Sequence, residues 1–359
     1  MAAASCAQRL SKAHEVTVFE SGRGPGGRMS TRRAGVYQWD HGAQYFSPKT
    51  EQFARAVDEW CANGWCDVWD GDHCVWSAEV GVSRDPKASG VKRYVGRPGM
   101  NAICKGLLAG IDARFETRAA ARRNPEGSWR LENAKTGAPL GDFDLVICTD
   151  KTAAALHRQD LDREHLDAFV RPAAAVRSHP SLALLVASQP TGLAFNSLLL
   201  EDHPHFAWLS RDDSKPGRQR SDGAECWLAH ASPQVTGRLV AASKQSRGKS
   251  RPQALRAAIV RELLPSFEAL LADLHPGGAK AELGGGEAEG GTAEVLLAQG
   301  HRWGAAFPLA PLDGGDRFYL DREGAFAACG DYFTPFPGRV EGAWISGSSL
   351  ADALLAVVE

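Results

Sequence analysis

Apolar positions recur with two different periods along this chain, and the two periods divide it into helical and extended regions. Phe53, Val57 and Trp60 share one helical face, which predicts a helix over residues 51–60. A longer amphipathic pattern predicts a second helix over residues 251–274, interrupted at Pro265. Further helices are predicted over residues 5–13 and 99–108, near residues 153–157, and at the chain end, where Leu350, Leu354 and Val358 form one stripe.

Short apolar runs bounded by turn residues predict strands, and their character changes along the chain. Residues 16–19 and 143–148 read as buried strands of a parallel sheet. Residues 65–76 show strand-like alternation. Spaced strands over residues 183–187, 196–200, 206–209 and 225–229, separated by polar loops, predict an antiparallel sheet. Residues 284–291 form a glycine-rich segment that predicts a flexible connection and not a phosphate-binding loop.

These patterns predict an α/β protein in which a Rossmann-type nucleotide-binding domain is interleaved with an α+β substrate domain built on an antiparallel sheet. The nucleotide-binding domain is predicted to be discontinuous, with residues 1–48, 92–165 and 310–359. The substrate domain is predicted to comprise residues 49–91 and 166–309. At 359 residues the chain is long enough to bury the large core that such an arrangement needs.

Charge and cysteine content exclude several classes of protein. Forty-one basic and 43 acidic residues leave a net charge of −2, which argues against a nucleic-acid partner. No apolar run approaches the roughly 20 residues of a membrane span, and residues 1–10 lack the features of a signal peptide. The eight cysteines are scattered like reduced thiols, and those near His73 lack the spacing of a zinc site. We therefore expect no metal and a cytoplasmic location, with an organelle open if a targeting segment lies upstream.

Glu20 closes the first predicted strand, where an acidic residue of a dinucleotide-binding unit takes the hydroxyls of the adenosine ribose. That residue lies about 20 positions after the glycine fingerprint. Counting back places the third fingerprint position near Ala3. The first strand and the first two glycines are therefore expected ahead of Met1.

Residues 21–29 form a glycine-rich loop directly after Glu20. Gly26 and Gly27 allow backbone to approach a diphosphate closely, and Arg28 offers a forked cationic donor to it. A solvent-exposed loop can have the same composition. The position of residues 21–29 after a strand that ends in an acidic residue favours the nucleotide-binding interpretation.

Several segments resemble, in order, renalase-like members of the flavin amine oxidase superfamily. The similar segments are residues 16–20, 26–29 (Gly-Gly-Arg-Met), 40–46 (Asp-His-Gly-Ala-Gln-Tyr-Phe), 329–331 (Cys-Gly-Asp) and 340–347 (Val-Glu-Gly-Ala-Trp-Ile-Ser-Gly). The resemblance spans nearly the whole chain and is clearest at its two ends. It implies FAD as the cofactor.

The resemblance also implies roles for individual residues. Arg28 would touch the cofactor diphosphate, while Gln44 and Tyr45 would lie against the flavin. Gly330 and Asp331 would bind the ribityl or diphosphate region.

Two further roles follow from the same resemblance. A helix beginning near Ser346, with Gly347 in its first turn, would point its amides at the flavin. Trp303 follows His301 and Arg302 in a segment that resembles a substrate-pocket wall of the family, although a buried sheet aromatic fits it equally well.

The implied activity is that of an FAD-dependent oxidoreductase, in which a small hydride donor, such as a dihydronicotinamide, reduces the flavin and dioxygen reoxidises it. Tyr45 and Trp303 are the candidate catalytic residues, and such a transfer requires no protein acid or base. Two alternatives stay open. One is an amine-oxidising or desaturating flavoenzyme of the same superfamily, for which a lysine beside the flavin would be diagnostic. The other is a non-catalytic remnant of the FAD fold, truncated in its first strand.

Overall fold

The structure is a computed structural model, and it describes residues 1–88, 90–155, 157–245, 251–274, 293–312 and 316–356. The glycine-rich segment at residues 284–291 and Val358 therefore lie outside the described residues. The α-helices, α1 to α7 in chain order, are Ala2–Leu10, Glu51–Ala62, Ala102–Leu107, Arg163–Ala175, Pro233–Gln245, Arg251–Leu274 and Val340–Leu355.

The strands are short in the nucleotide-binding part and longer in the large sheet. In chain order β1 to β19 are Thr17–Phe19, Thr31–Ala34, Tyr37–Asp40, Cys66–Val68, His73–Ser77, Gly81–Arg84, Tyr94–Gly96, Asp112–Arg114, Ala119–Arg123, Trp129–Asn133, Pro139–Phe143, Val146–Cys148, Ser178–Ser188, Ser197–Leu200, Phe206–Arg211, Glu225–Ala231, Val295–Pro308, Tyr319–Asp321 and Phe326–Ala328. Among the described residues, seven of these strands form one sheet in the order β17-β13-β16-β15-β14-β5-β6. Its pairs are antiparallel except for β14 with β5.

Strand β13, the second in that order, shows why this sheet is stable, because both of its faces are covered. Leu182, Leu184 and Val186 point into an apolar cluster formed with helices α5 and α6. The intervening residues Ala183, Leu185 and Ala187 belong to a second cluster on the opposite face, around the buried indole of Trp39. The period of two in a strand places alternate residues on opposite faces, so an unbroken apolar run is needed here.

The part of the chain predicted to bind a nucleotide is built from smaller sheets. Strand β1 pairs in parallel with β8, and β12 pairs in parallel with β19, which in turn pairs antiparallel with β18. Strands β9 to β11 form an antiparallel meander. Helix α1 packs so closely on α7 that a Cβ at Gly347 would overlap the carbonyl oxygen of Ala2. The predicted α/β architecture with an antiparallel sheet is therefore present.

Three of the predicted helix boundaries were wrong. Helix α1 is Ala2–Leu10 and not residues 5–13, and α7 begins at Val340 and not near Ser346. Helix α6 runs through Pro265 without interruption. Proline removes one backbone hydrogen bond, but buried residues on both sides of it, Leu263 and Phe267, pack against the large sheet and hold the helix together.

A buried cluster of four charged side chains joins the two parts of the chain. Asp40 ends β3, while Asp212, Lys215 and Arg218 lie in the loop after β15. Arg218 contacts Asp40 at 2.5 Å and Asp212 at 2.6 Å, Lys215 contacts Asp212 at 2.6 Å, and all four side chains are at most 1% exposed. Burial raises the pKa of Asp40, but Arg218 and Lys215 outweigh it and hold that pKa below its ordinary value. The cluster is neutral as a whole, which makes its burial tolerable.

Candidate cofactor site

A cavity of about 1070 Å³ lies between helix α1, strands β1 and β12, and the first turn of α7. This is at the upper end of the roughly 300–1,000 Å³ typical of ligand pockets. The cavity is lined by many of the residues predicted from the sequence: Glu20, Gly26, Gly27, Arg28, Trp303, Gly330 and Asp331. Gln44, Tyr45 and Gly347 are not among its lining residues.

Glu20 stands at the carboxyl end of β1, as predicted. Its backbone N–H continues the ladder by donating to the carbonyl of Arg114 at 2.9 Å, and the N–H of Gly22 donates to its Oε1 at 2.6 Å. The second carboxylate oxygen, Oε2, accepts no hydrogen bond from the described residues. The carboxylate is therefore held in place while one oxygen stays open toward the cavity, as an acceptor for two hydroxyls requires.

Gly26 and Gly27 form the tight turn that brings Arg28 to the cavity. Gly26 has a φ of 124° and Gly27 a φ of 54°, which other residues rarely adopt. A short 3-10 helix, Gly27–Met29, follows. The turn is thus a consequence of glycine at two successive positions, and it sets the direction in which the arginine leaves the backbone.

Arg28 and Asp331 meet across the cavity, although 303 residues separate them in sequence. The guanidinium donates to both carboxylate oxygens of Asp331, at 2.9 and 2.5 Å, and to the carbonyl of Ala306 at 3.0 Å. The Asp331 carboxylate also accepts from the N–H of Gly338 at 2.6 Å, and its side chain is only 3% exposed, against 38% for Arg28. Asp331 therefore anchors the arginine and leaves part of its guanidinium accessible.

Lys151 is a cavity residue that sequence reasoning missed. It follows β12, and its Nζ donates to the carbonyl of Val176 at 2.5 Å. Burial lowers its pKa, with the charge of Asp331 opposing that shift and Arg28 adding to it. The available signal was its position directly after a parallel strand, the rule that identified Glu20, because the carboxyl ends of such strands share one edge.

Gln44 is occupied by the loop that carries it. Its amide nitrogen donates to the carbonyls of Asp40 and Gly42, and its Oε1 accepts from the hydroxyl of Ser210 at 2.7 Å. The side chain is buried and closes the turn between β3 and α2. The structure thus gives Gln44 a positioning contact to the large sheet, while Ala43 beside it lines the cavity.

Tyr45 lies in an aromatic group behind that turn. Its ring is 5.7 Å from the Trp208 ring and 6.5 Å from the Trp69 ring, centroid to centroid. The guanidinium of Arg93 lies 4.6 Å from its centroid, and Arg93 is itself paired with Asp85 at 2.6 Å. Tyr45 is therefore held in a half-buried position by a cation–π contact and two indoles.

Trp303 joins the cavity to a group of histidines. Its indole N–H donates to the carbonyl of His41 at 2.7 Å, and its ring lies 4.8 Å from His41 and 4.7 Å from His301. His230 Nε2 lies 3.4 Å from the same carbonyl. Burial lowers the pKa of His41 and of His230 to about 4, and that of His301 to about 3. The imidazoles beside Trp303 are thus neutral near pH 7 and do not donate a proton as acids.

These histidines make the protein sensitive to acid. Each has a pKa near 6.5 when unfolded and a lower one when folded, so protons favour the unfolded state as pH falls from about 6.5 toward 4. We expect a loss of about 2–3 kcal/mol per histidine over that window. Melting temperatures of the wild type and of His301→Gln, from pH 7.5 to 4.5, check this. The variant should show a shallower decline, whereas His179→Gln, an exposed histidine on β13, should match the wild type; equal slopes for all three would contradict the assignment.

Gly42 is required by the close approach of its backbone to Arg28. A Cβ at position 42 would overlap the Arg28 carbonyl oxygen and would lie 3.2 Å from the Trp303 ring. We expect Gly42→Ala to lower the free energy of unfolding by about 2–3 kcal/mol, because backbone must move. Gly237→Ala is the matched control. A Cβ there meets nothing within 4 Å, and alanine in helix α5 should stabilise by roughly 0.4–1 kcal/mol. Chemical denaturation measures the free energy of unfolding of both variants. A Gly42→Ala variant as stable as the wild type would mean that the close contact with Arg28 is absent.

The first turn of α7 faces the cavity with Arg339, Val340 and Ala343. Ser346 lies further along the helix, where its hydroxyl accepts from the N–H of Gly330 at 2.8 Å and donates to the carbonyl of Arg317 at 2.5 Å. Because α7 begins at Val340, the amides that reach the cavity belong to residues six positions earlier than predicted. Gly347 contacts α1 instead.

No cluster of metal-ligating side chains occurs within the part of the chain that the structure describes. All eight cysteines are free thiols. Among the same described residues, every helix is too short or too polar to cross a bilayer.

The class of fold follows from this architecture and from comparison with known proteins. Residues 1–60 match the family model for an NAD(P)-binding Rossmann-like domain. This segment is similar to that family, and the α/β fold class with a Rossmann-like domain predicted from the sequence is confirmed.

Three solved structures with similar folds are named as oxidoreductases. One is provisionally designated a protoporphyrinogen oxidase, from Exiguobacterium sp. 255-15, with 11% identity, a TM-score of 0.63, and 98% of this chain and 95% of that chain covered. An oxidoreductase from Methanosarcina mazei has 15% identity, a TM-score of 0.61, and 98% of each chain covered. A cofactor-binding variant of putrescine oxidase has 12% identity, a TM-score of 0.60, and 99% and 96% covered. This chain thus shares its fold with these three structures along nearly its entire length.

Proposed function

We propose that the protein is an FAD-dependent oxidoreductase that takes hydride from a small reduced donor, a dihydronicotinamide, and passes the electrons to dioxygen. The observation that carries this proposal is the convergence of Glu20, Arg28 and Asp331 on one large cavity. These residues lie far apart in sequence, and each has the chemistry that one part of a dinucleotide requires. The renalase-like pattern of motifs supports the choice of donor.

The residues present fit FAD. Glu20 offers an open carboxylate oxygen to the ribose hydroxyls, and the partly accessible guanidinium of Arg28 suits a diphosphate. Lys151 adds a second cation to the same cavity. The first turn of α7 has no side-chain cap, so its free amides favour an anionic group of the ligand. Asp331 would keep Arg28 oriented when the cofactor is bound.

When bound, FAD would supply the ring that accepts hydride and returns two electrons to dioxygen. The overall reaction consumes one dihydronicotinamide, one proton and one dioxygen, and it yields the oxidised nicotinamide and hydrogen peroxide. Trp303 would form one wall around the donor and exclude water, since a planar apolar ring suits a planar ring, whereas Tyr45 packs behind the turn and does not line the cavity. The neutral state of His41 and His301 matches a transfer in which the chain moves no proton.

A second candidate is amine oxidation or desaturation within the same fold, and Lys151 favours it. This lysine lines the cavity, and a lysine near the flavin is the feature that would distinguish such an enzyme. Lys215 serves a different purpose, because it is fully buried against Asp212 and 5.1 Å from the Trp69 ring centroid. The third candidate, a non-catalytic FAD fold, is favoured by the separate sheets around the cavity.

The test is a titration of the purified full chain with FAD, followed by visible absorbance and flavin fluorescence. Saturable binding supports the cofactor assignment, and a folded protein that leaves excess FAD unperturbed would refute it. The loaded protein is then mixed anaerobically with NADH or with putrescine. Bleaching by NADH and peroxide formation on adding oxygen support the proposed donor class. Bleaching by putrescine alone identifies an amine oxidase, and bleaching by neither supports the non-catalytic candidate.

A further inference from the structure

The nucleotide-binding part contains two parallel pairs of strands that face one cavity without joining. Within the described residues, β1 pairs with β8 and with no other strand, and β12 pairs with β19 alone. Residues 15–20, which include β1, and residues 145–149, which include β12, both line the cavity. Each of these strands therefore has one edge that no described strand covers.

Hydrogen-bond alternation shows which backbone groups face the cavity. The N–H of Glu20 donates to the Arg114 carbonyl in the β8 ladder, so Glu20 and Val18 point toward β8. Because alternate residues of a parallel strand bond to opposite neighbours, the N–H and C=O of Phe19 point the other way.

The same rule applies to the strand on the other side of the cavity. The N–H of Val146 donates to Ala325 at 3.2 Å, and the carbonyl of Cys148 accepts from Cys329 at 3.1 Å, both in the β19 ladder. The N–H and C=O of Ile147, between them, therefore point away from β19 and toward the cavity.

The apolar side chains of these two strands are also less buried than is usual for a parallel sheet. Val18, Phe19, Val146 and Ile147 are only half-buried. Strands of parallel sheets are normally covered on both faces and paired at both edges. A ligand for this space must thus be apolar and must offer backbone-like donors and acceptors on two opposite sides.

We propose that the space between β1 and β12 is a binding site for one extended apolar peptide strand. The strand would run parallel to both edges and bond to Phe19 on one side and Ile147 on the other. It would join the two small sheets in the order β8-β1-peptide-β12-β19-β18. Residues 145–149 line the cavity over five positions, so a parallel strand with the same rise of about 3.3 Å per residue matches a peptide segment of about five residues. An extended polypeptide is the ligand chemistry that satisfies both edges at once.

The site is tested by hydrogen exchange of the full chain without FAD. The probe is a synthetic peptide of five alternating valines and isoleucines, preceded by two lysines for solubility. Exchange of the Phe19 and Ile147 amides should slow at least tenfold at saturating peptide. The amides of Val18 and Val146 serve as internal controls, since they are already paired and should change far less.

The matched control is the same peptide with proline at its third apolar position, which lacks the N–H needed for pairing. Protection by the first peptide but not by the proline peptide supports the site. No protection, or equal protection by both, overturns it. Protection that appears without peptide and grows with protein concentration would assign the edges to a second copy of the chain instead, and would also overturn it.

This experiment is separable from the test of FAD binding. Protection at Phe19 and Ile147 with no response to FAD would uphold the strand site and refute the cofactor assignment. FAD binding without protection by the peptide would uphold the cofactor assignment and refute the strand site.

Discussion

Replacement of Arg28 by alanine is expected to weaken FAD binding at least 100-fold. The change removes a charge-assisted contact worth about 1.5–3 kcal/mol and leaves the 3%-exposed carboxylate of Asp331 without its cation. That unpaired carboxylate would then repel a diphosphate in the same cavity. Each tenfold change in affinity corresponds to about 1.4 kcal/mol, so the two effects together reach the stated loss. Quenching of flavin fluorescence on titration measures it.

Arg33→Ala is the matched control, since it removes the same charge from an exposed position on β2 and should change affinity less than threefold. A double variant, Arg28→Ala with Asp331→Asn, should recover part of the affinity because it removes the repulsive charge. Arg28→Ala with unchanged affinity would place the diphosphate elsewhere, and a double variant weaker than Arg28→Ala would show that Asp331 binds the cofactor directly.

Arg218→Met is expected to lower the free energy of unfolding by about 3–5 kcal/mol. Arg218 is 1% exposed and bonds to both Asp40 and Asp212, so its removal leaves two buried carboxylates with Lys215 alone. The methionine fills a similar volume, which confines the effect to charge and hydrogen bonding. Because one cation no longer holds the pKa of Asp40 down, the variant should lose less stability than the wild type as pH falls through the acidic range. Urea denaturation at pH 7 and pH 5 measures both effects.

Arg171→Met, which breaks an exposed i,i+4 pair with Asp167 in helix α4, is the surface control and should cost less than about 1 kcal/mol. The double variant Asp212→Asn with Arg218→Met leaves one buried cation with one buried anion. It should therefore cost less than the two single changes combined. Strict additivity would show that the four side chains do not act as one cluster.

The sheet and helix classes were predictable because they depend on local patterns of burial. Helix α2 and the span of α6 follow from apolar residues on one face, and β13 to β16 follow from apolar runs between turns. Exposed turns and short helix ends carry weaker signals, so the boundaries of α1 and α7 were misplaced. The continuity of α6 through Pro265 depended on packing against the sheet, which is not visible in a local window.

The candidate site was predictable where one residue type at one strand end has a chemical meaning. Glu20 was predicted in this way, Gly26, Gly27 and Arg28 from the glycine-rich loop that follows it, and Asp331 from the family resemblance; all of them line the cavity. Lys151 was missed, although it follows a parallel strand as Glu20 does, because no glycine-rich loop accompanies it there. The occupied state of the Gln44 amide depends on Ser210, 166 residues away.

Local sequence was enough to predict the period of most elements and the chemistry available at their ends, because both are properties of neighbouring residues. The long-range pairings came from the fold: Arg28 meets Asp331, Arg218 neutralises Asp40, and β1 and β12 line one cavity with no described strand between them. Such pairings are set by which faces of distant elements come into contact. That depends on the packing of the whole core and not on any local pattern.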